Sequence, residues 1–323
     1  MKYLRTSLLL LIIILFVGCS TPAKAPITKS GFYFDTIVTI TIYDSHDEAI
    51  LNECFSLCRT FEDKLSKTVT DSDISKINAA GGRPVEVSDL TIEVLKKGIY
   101  YSELTDGAFD ITIAPLSNLW NFKSSSPSIP QHSALTEALG HVNYKNIVIE
   151  NNTVTLIDPD ASIDLGGIAK GYMADLLKDF LRGKGINKAL INLGGNVLTI
   201  GNKPDGKPFA VGIQRPFSEH NTPITAVSAN DISVVTSGIY ERYFKLDHKI
   251  YHHILDTTTG YPCENNLYSV TILSDKSVDG DALSTACFVL GLEQGIQLIQ
   301  SLDSIEAIFI TNTYEVIDTR KLD

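Results

Sequence analysis

Residues 35–44, DTIVTITIYD, alternate along the chain with a period of two, and the β-branched content predicts a strand. The period then lengthens. In 46–67, HDEAILNECFSLCRTFEDKLSK, apolar residues recur at helical spacing and predict an amphipathic helix. A second helix is predicted from a cap at Ser88 or Asp89 to a stop at Gly107. Residues 145–167 alternate around a Glu-Asn-Asn turn, which predicts a hairpin followed by a third strand ending at the Gly166-Gly167 pair. A helix over 167–185 closes on glycine. Strands are predicted in 188–202 and 209–216, and paired strands with turns at Ser237-Gly238 and Asp247-His248 in 233–256. Residues 269–302 give a strand, a turn, a helix ending near Gly291 and a further helix; 307–319 close the chain with a strand pair. Hairpins outnumber βα repeats, so the pattern predicts an α+β fold of largely antiparallel sheets flanked by helices, not a doubly wound parallel sheet. Residues 123–133, rich in Ser and Pro, read as a loop.

The first eighteen residues stand apart. Lys2 and Arg5 precede the uncharged run LLLLIIILFV, and Gly18 precedes Cys19. This is the layout of a signal peptide with a short apolar region, placed next to a cysteine suited to lipidation. Phe16 stands where a lipoprotein signal usually carries leucine, and an uncleaved anchor is the alternative. Both readings tether the protein to a membrane and place its body outside the cytoplasm. Residues 19–31 are polar, contain two prolines and read as the tether, with the folded domain expected over 32–323.

Composition narrows the field. Hydrophobic residues at 44% and charged residues at 20% describe a globular protein. The net charge of −11, with no basic tract, argues against nucleic acid as a partner. Cys54 and Cys58, four apart on one helix face, and the single Cys263 and Cys287 read as core residues without a disulfide framework.

Candidate chemistry lies in five short segments. IDLGGIAKGY (163–172) joins a strand-like run to a helix through two glycines, so backbone can approach a ligand, and the helix start offers free N–H groups to a phosphate. It matches neither a P-loop nor a dinucleotide fingerprint. INLGGNVL (191–198) repeats the glycine pair after an apolar strand. In DGDALSTACF (279–288), Asp281 and Thr285 share a helix face with Ser284 adjacent; hard oxygen ligands of this kind suit Mg2+ held with substrate phosphates, and helix capping is the alternative. His252 and His253 are neighbours and point to opposite faces of a strand, so at most one reaches a given site; Asp256 in the following turn can hydrogen-bond its own backbone. Phe109 and Asp110 sit in a glycine-containing turn ahead of Trp120, the single tryptophan.

Together with FDTIVTI, SDISKIN and VVTSGIYERYF, these segments, in this order across residues 34–291, resemble the ApbE family of FAD:protein FMN transferases. The resemblance implies a core of the ApbE or T-fold type with a smaller α/β subdomain. It implies FAD as substrate and Mg2+ as cofactor, with FMN moved onto a Ser or Thr hydroxyl of a target protein and AMP released. The metal would be held by the carbonyl of Ala169 and by Asp281, Ser284 and Thr285. FAD would lie against Phe34, Thr68, Ala108, Phe109, Asp110, Gly166, Tyr172, Leu255 and Asp256, with Asp164 shaping the loop. His253 is the candidate base, beside Asp281 in the catalytic set. Family members are commonly exported lipoproteins, and their acceptors are FMN-binding domains of Rnf- or Nqr-type subunits or similar flavoproteins. Thr68 stands where many members carry an aromatic residue, which keeps open an FAD pyrophosphatase yielding FMN and AMP. A non-catalytic flavin-binding lipoprotein is the third reading.

Overall fold

A computed structural model describes residues 25–122, 124, 126–219 and 221–322. The expected leader, Cys19 and the first part of the tether lie outside the described residues. Eight strands form the main sheet, all antiparallel, in the order β1-β2-β6-β7-β10-β13-β14-β15. They are β1 Ile27–Tyr33, β2 Thr36–Ile42, β6 Ala189–Leu193, β7 Asn196–Ile200, β10 Ser233–Gly238, β13 Leu267–Ser274, β14 Glu306–Thr311 and β15 Val316–Asp318. The alternation in β2 sets its faces: Val38, Ile40 and Ile42 are fully buried. β13 is buried along almost its whole length because both faces of the sheet are covered there.

Three long helices, α1 Glu48–Leu65, α3 Asp89–Leu104 and α6 Ala169–Gly183, join α7 Ser277–Gln300 in one core on the first face. α1 buries Ile50, Leu51, Cys54, Phe55, Cys58, Phe61 and Leu65, the stripe its periodicity predicts. The second face is covered by the hairpin β8 Phe209–Gln214 with β9 Pro223–Ala229, whose Phe209, Val211, Ile213 and Val227 pack on Val234, Leu273, Ile308 and Ile310. A three-stranded sheet, β3 Val85–Glu86, β5 Thr153–Leu156 and β4 Ile147–Glu150, carries the predicted Glu-Asn-Asn hairpin. The hairpin β11 Tyr243–Leu246 with β12 Lys249–His252 turns at Asp247 and His248, both left-handed at φ 47° and 64°.

Several sequence expectations are corrected. Folded structure starts at Ile27, inside the segment read as tether, since β1 pairs with β2 along its length. As an edge strand it buries only Tyr33, so its sequence lacks a hydrophobic alternation. No third strand follows β5; Ser162 makes a single bridge to Ile113. Ser237-Gly238 ends a strand paired to β7 and β13 and is no hairpin turn. The strands predicted in 188–202 are present as β6 and β7, with Gly194-Gly195, at φ 62° and 96°, as the hairpin turn between them. Three short helices are added: α2 Asp73–Asn78, α4 Ala114–Trp120, and α5 His132–Leu139, which begins inside the predicted loop. The break at Gly291 is present, at φ 78° between the two halves of α7. The four described cysteines are buried and free.

Candidate active site

α6 and α7 cross at their first turns, and a glycine sets the distance. A Cβ on Gly171 would meet the Ser277 carbonyl oxygen at 2.3 Å and the Asp281 Cβ at 2.7 Å. Only hydrogen fits there, so the two backbones touch. α7 has no cap of its own: Asp175 of α6 receives the N–H groups of Ser277 and Val278 at 2.8 and 2.9 Å. Burial pushes the Asp175 carboxyl up to about 6 against these two bonds. Ser277 Oγ joins Asn196 and Ser233 at 2.8 and 2.9 Å, which fixes the helix start to the sheet.

Asp281 is therefore released from capping. Its carboxylate, 3% exposed, reaches across to α6, where Gly171 N–H donates to Oδ2 at 2.9 Å. The Lys170 ammonium donates to Oδ1 at 3.1 Å and to the Gly166 carbonyl at 3.0 Å. Ser284, fully buried, donates to the Asp281 carbonyl at 3.0 Å. Ser237 Oγ bridges Ser284 Oγ and Thr285 Oγ1 at 2.8 and 3.1 Å. Thr285 Oγ1 in turn faces Gly167, lying 3.6 Å from where a Cβ would stand. The face shared by Asp281, Ser284 and Thr285 thus meets the Gly166-Gly167 turn and the first turn of α6, which contains Ala169.

The donor set fits a hard divalent cation. A carboxylate, hydroxyls and backbone carbonyls are the oxygens such an ion takes. The Lys170 ammonium, drawn between a carbonyl and the Asp281 carboxylate, stands in for a cation at that spot. Among the described residues, the one cluster of His and carboxylate atoms close enough to share an ion, His141, Asp158 and Asp160, lies elsewhere and lacks this face.

The rest of the turn is held by side chains from distant elements. Asp164 accepts from Gly166 N–H at 2.9 Å, from Ser117 at 3.0 Å and from Lys67 at 2.8 Å. Burial would raise its pKa; Lys67 and these donors outweigh that and hold the carboxyl below the usual range. Asn78, the last residue of SDISKIN, pairs with both backbone groups of Ile163 at 2.9 and 2.7 Å. The Phe109 ring lies over Gly167, 2.9 Å from a would-be Cβ. Lys67 also brings its neighbour Thr68 to this side; Thr68 is exposed and its hydroxyl pairs with Ser66 at 3.0 Å.

His253 follows β12 and keeps partial exposure. A carbonyl can only accept, so the contact of Nδ1 with the Arg242 carbonyl at 3.3 Å places the proton on Nδ1 and leaves Nε2 with a free lone pair. Burial, then the Arg242 guanidinium, His252 and Lys170, push its pKa down to about 3. His252 faces the other way: it is 5% exposed, edge-on to Phe288, and bonded through Nε2 to the Cys263 carbonyl.

Other expected contacts are committed inside the protein. Asp110 accepts from Thr112 N–H and Oγ and from Tyr144 N–H, tying its turn to the next loop. Asp256 accepts from the Thr258 and Thr259 backbones, the self-bonded turn that its sequence predicts. Leu255 is buried with Leu116, Trp120 and Leu135. Thr257 donates to the Gly107 carbonyl, so this turn and the Ala108–Asp110 turn move as one. Tyr172 packs edge-on to Phe61, and its hydroxyl donates to Glu93. Phe34, left-handed at φ 50° in the β1–β2 turn, gives its N–H to Glu62. Two clefts of about 480 and 410 Å³, one between β1 and α1 and one under β12, are lined by neither Asp281 nor His253.

Lys67, Ser237 and Lys170 are site residues that the sequence reading left without a role. A lone lysine or serine has no spacing to mark it. The only signal was position: Ser237 and Lys170 lie inside VVTSGIYERYF and IDLGGIAKGY.

The fold is an α+β one built on an open antiparallel sheet, and its site sets an oxygen-rich cluster beside a glycine turn at a helix start, an arrangement suited to binding phosphate. A model of the ApbE family matches residues 34–309. An FAD:protein FMN transferase of Klebsiella pneumoniae (strain 342) is 40% identical over 276 residues, covering 84% of this chain and 85% of the relative. One of Treponema pallidum (strain Nichols) is 33% identical over 329 residues, covering 95% and 91%. The crystal structure of the ApbE protein of Thermotoga maritima superposes with a TM-score of 0.83 at 31% identity, covering 91% of this chain and 97% of the other. The chain belongs to the ApbE family.

Proposed function

We propose that this protein moves FMN from FAD onto a Ser or Thr hydroxyl of a target flavoprotein, releases AMP, and requires Mg2+. Flavin transfer is supported by the names of the relatives. The observation that carries the metal-dependent reading is the meeting of Asp281, Ser284 and Thr285 with the Gly166-Gly167 turn, with the Lys170 ammonium between Asp281 and the Gly166 carbonyl. In the reaction the acceptor oxygen attacks the FMN phosphorus. A new phosphoester forms, the phosphoanhydride bond breaks, and its electron pair leaves on AMP. Mg2+, held by Asp281, Ser284, Thr285 and the Ala169 carbonyl, would neutralise the diphosphate. The acceptor proton goes to Nε2 of His253. Its basicity is depressed by burial first and then by Arg242, His252 and Lys170; a negative diphosphate beside it would raise it again. Phe109, over Gly167, and the joined turns at Ala108 and Thr257 would wall the flavin nucleotide, while Lys67 and Asp164 fix the loop that carries Gly166.

The acceptor we infer is an FMN-binding domain of an Rnf- or Nqr-type subunit or a similar extracytoplasmic flavoprotein, met at the membrane through a lipidated Cys19. The test is incubation with FAD, Mg2+ and such a domain. A fluorescent acceptor band in a denaturing gel, lost in Asp281→Ala or with EDTA, is expected. Free FMN and AMP without a band would replace transfer by FAD hydrolysis, a reading that the exposed Thr68 favours; intact FAD would leave binding alone.

A further inference from the structure

Lys170 forms and breaks no bond in the reaction above and enters it only as a charge near His253, yet it occupies the centre of the site. Its ammonium donates to Asp281 Oδ1 at 3.1 Å, lies 3.4 Å from Oδ2, and donates to the Gly166 carbonyl at 3.0 Å. Three oxygens around one cation resemble a partial metal shell. Asp281 is almost wholly buried, and apart from Lys170 its carboxylate has one charge-compensating contact, the Gly171 N–H. A buried carboxylate without a counter-charge is costly, and a cation beside it removes that cost. The Lys170 side chain is 23% exposed, on a four-carbon stem at the first turn of α6, and so has a way out to solvent.

We propose that Lys170 is an internal stand-in for the divalent cation: it neutralises Asp281 in the metal-free protein and must leave as the metal enters. The inference rests on the metal-dependent reading of the site. A fixed positive charge beside a divalent ion would repel it, and both compete for the same carboxylate oxygens. Two consequences follow. The metal-free protein keeps its buried carboxylate paired at the close crossing of α6 and α7. Metal affinity is lowered by the strength of the Lys170–Asp281 pair, so the free enzyme holds an ion less tightly than it does once the anionic substrate offers the ammonium another partner.

The experiment is titration of the purified full-length protein with Mn2+, followed by electron paramagnetic resonance, for wild type, Lys170→Gln, Lys170→Arg and Asp281→Asn. A parallel thermal melt is run in EDTA. Lys170→Gln should bind Mn2+ about tenfold more tightly than wild type, the loss of a competitor worth about 1.4 kcal/mol. It should melt lower than wild type in EDTA and recover on adding Mn2+. Lys170→Arg keeps the charge and should bind no more tightly than wild type. Equal or weaker Mn2+ binding by Lys170→Gln, or a gain in Lys170→Arg, overturns the inference while leaving the metal site standing. Undiminished Mn2+ binding in Asp281→Asn, or none in wild type, overturns the metal reading and this inference with it.

Discussion

The touch between α6 and α7 at Gly171 can be tested by adding one methyl group. In Gly171→Ala the new Cβ would lie 2.3 Å from the Ser277 carbonyl oxygen and 2.7 Å from the Asp281 Cβ. Both are held by backbone that cannot rotate away. An ordinary contact near ~3.5 Å requires the helices to part by about 1 Å. Overpacking of this kind costs about 1–3 kcal/mol, and the better helix propensity of alanine returns about 1 kcal/mol. The net loss of stability is then about 0–2 kcal/mol, a melting shift of only a few degrees in a chain of this size. Function should suffer far more. A separation of about 1 Å stretches the 2.9 Å bond from Gly171 to Asp281 beyond hydrogen-bond range, and misplacement of that order costs about 10²-fold in rate. Gly183→Ala is the control, since a Cβ there meets nothing within 4 Å at the far end of the same helix. The assay pairs a thermal melt with flavin transfer to an acceptor domain and with Mn2+ titration. A Gly171→Ala protein with wild-type transfer and Mn2+ affinity would show that the crossing distance does not govern the site.

Three further outcomes are expected. His253→Ala should lower flavin transfer about 10²–10⁴-fold while FAD binding, read by fluorescence quenching, stays near wild type; equal loss of both would make the residue a binding contact. Lys67→Met frees the Asp164 carboxylate at a partly exposed pair, so it should cost about 1 kcal/mol in stability and weaken FAD binding, with an unchanged melt and affinity counting against the link. His252, lowered to about 4 by burial, takes up its proton later than the unfolded chain as pH falls, so its stabilisation is present above pH 6.5 and is lost toward pH 4, about 3 kcal/mol in all. Asp175, raised to about 6, works oppositely between pH 6 and 3.8, so the melt to follow is the difference between wild type and His252→Gln, which should fall by about 3 kcal/mol from pH 6.5 to pH 4; a difference that does not change with pH would refute the reasoning.

How much of this was legible in the chain depended on how much apolar surface each element buries. β2, α1, α3, α6 and the β13–α7 unit carry clean periods because each presents a wide face to the core. β1 does not, since an edge strand with one buried residue needs no pattern, and it reads as a linker. α2 and α4, of six and seven residues, are too short to show a period; Ser72 caps the first and Pro115 opens the second. In the site, spacing on one helix face brought out Asp281 and Thr285, and the glycine pair brought out the turn. Lys67 and Ser237 were invisible because their partners lie far along the chain: 97 residues separate Lys67 from Asp164, and 47 separate Ser237 from Ser284. The self-bonded turn at Asp256 was legible because a short carboxylate reaches its own backbone, whereas the bond from Tyr144 to Asp110 joins residues 34 apart and left no mark.

The crossing at Gly171 also sets when the protein can begin to work. Its two halves, residues 164–171 and 277–285, leave the ribosome more than a hundred residues apart, and Lys170 and Asp281 lie one in each. A nascent or truncated chain that has not delivered Asp281 has no acid to receive Lys170 or an ion in its place. A product cut short of Asp281 should therefore show no metal-dependent transfer at all, not a reduced rate.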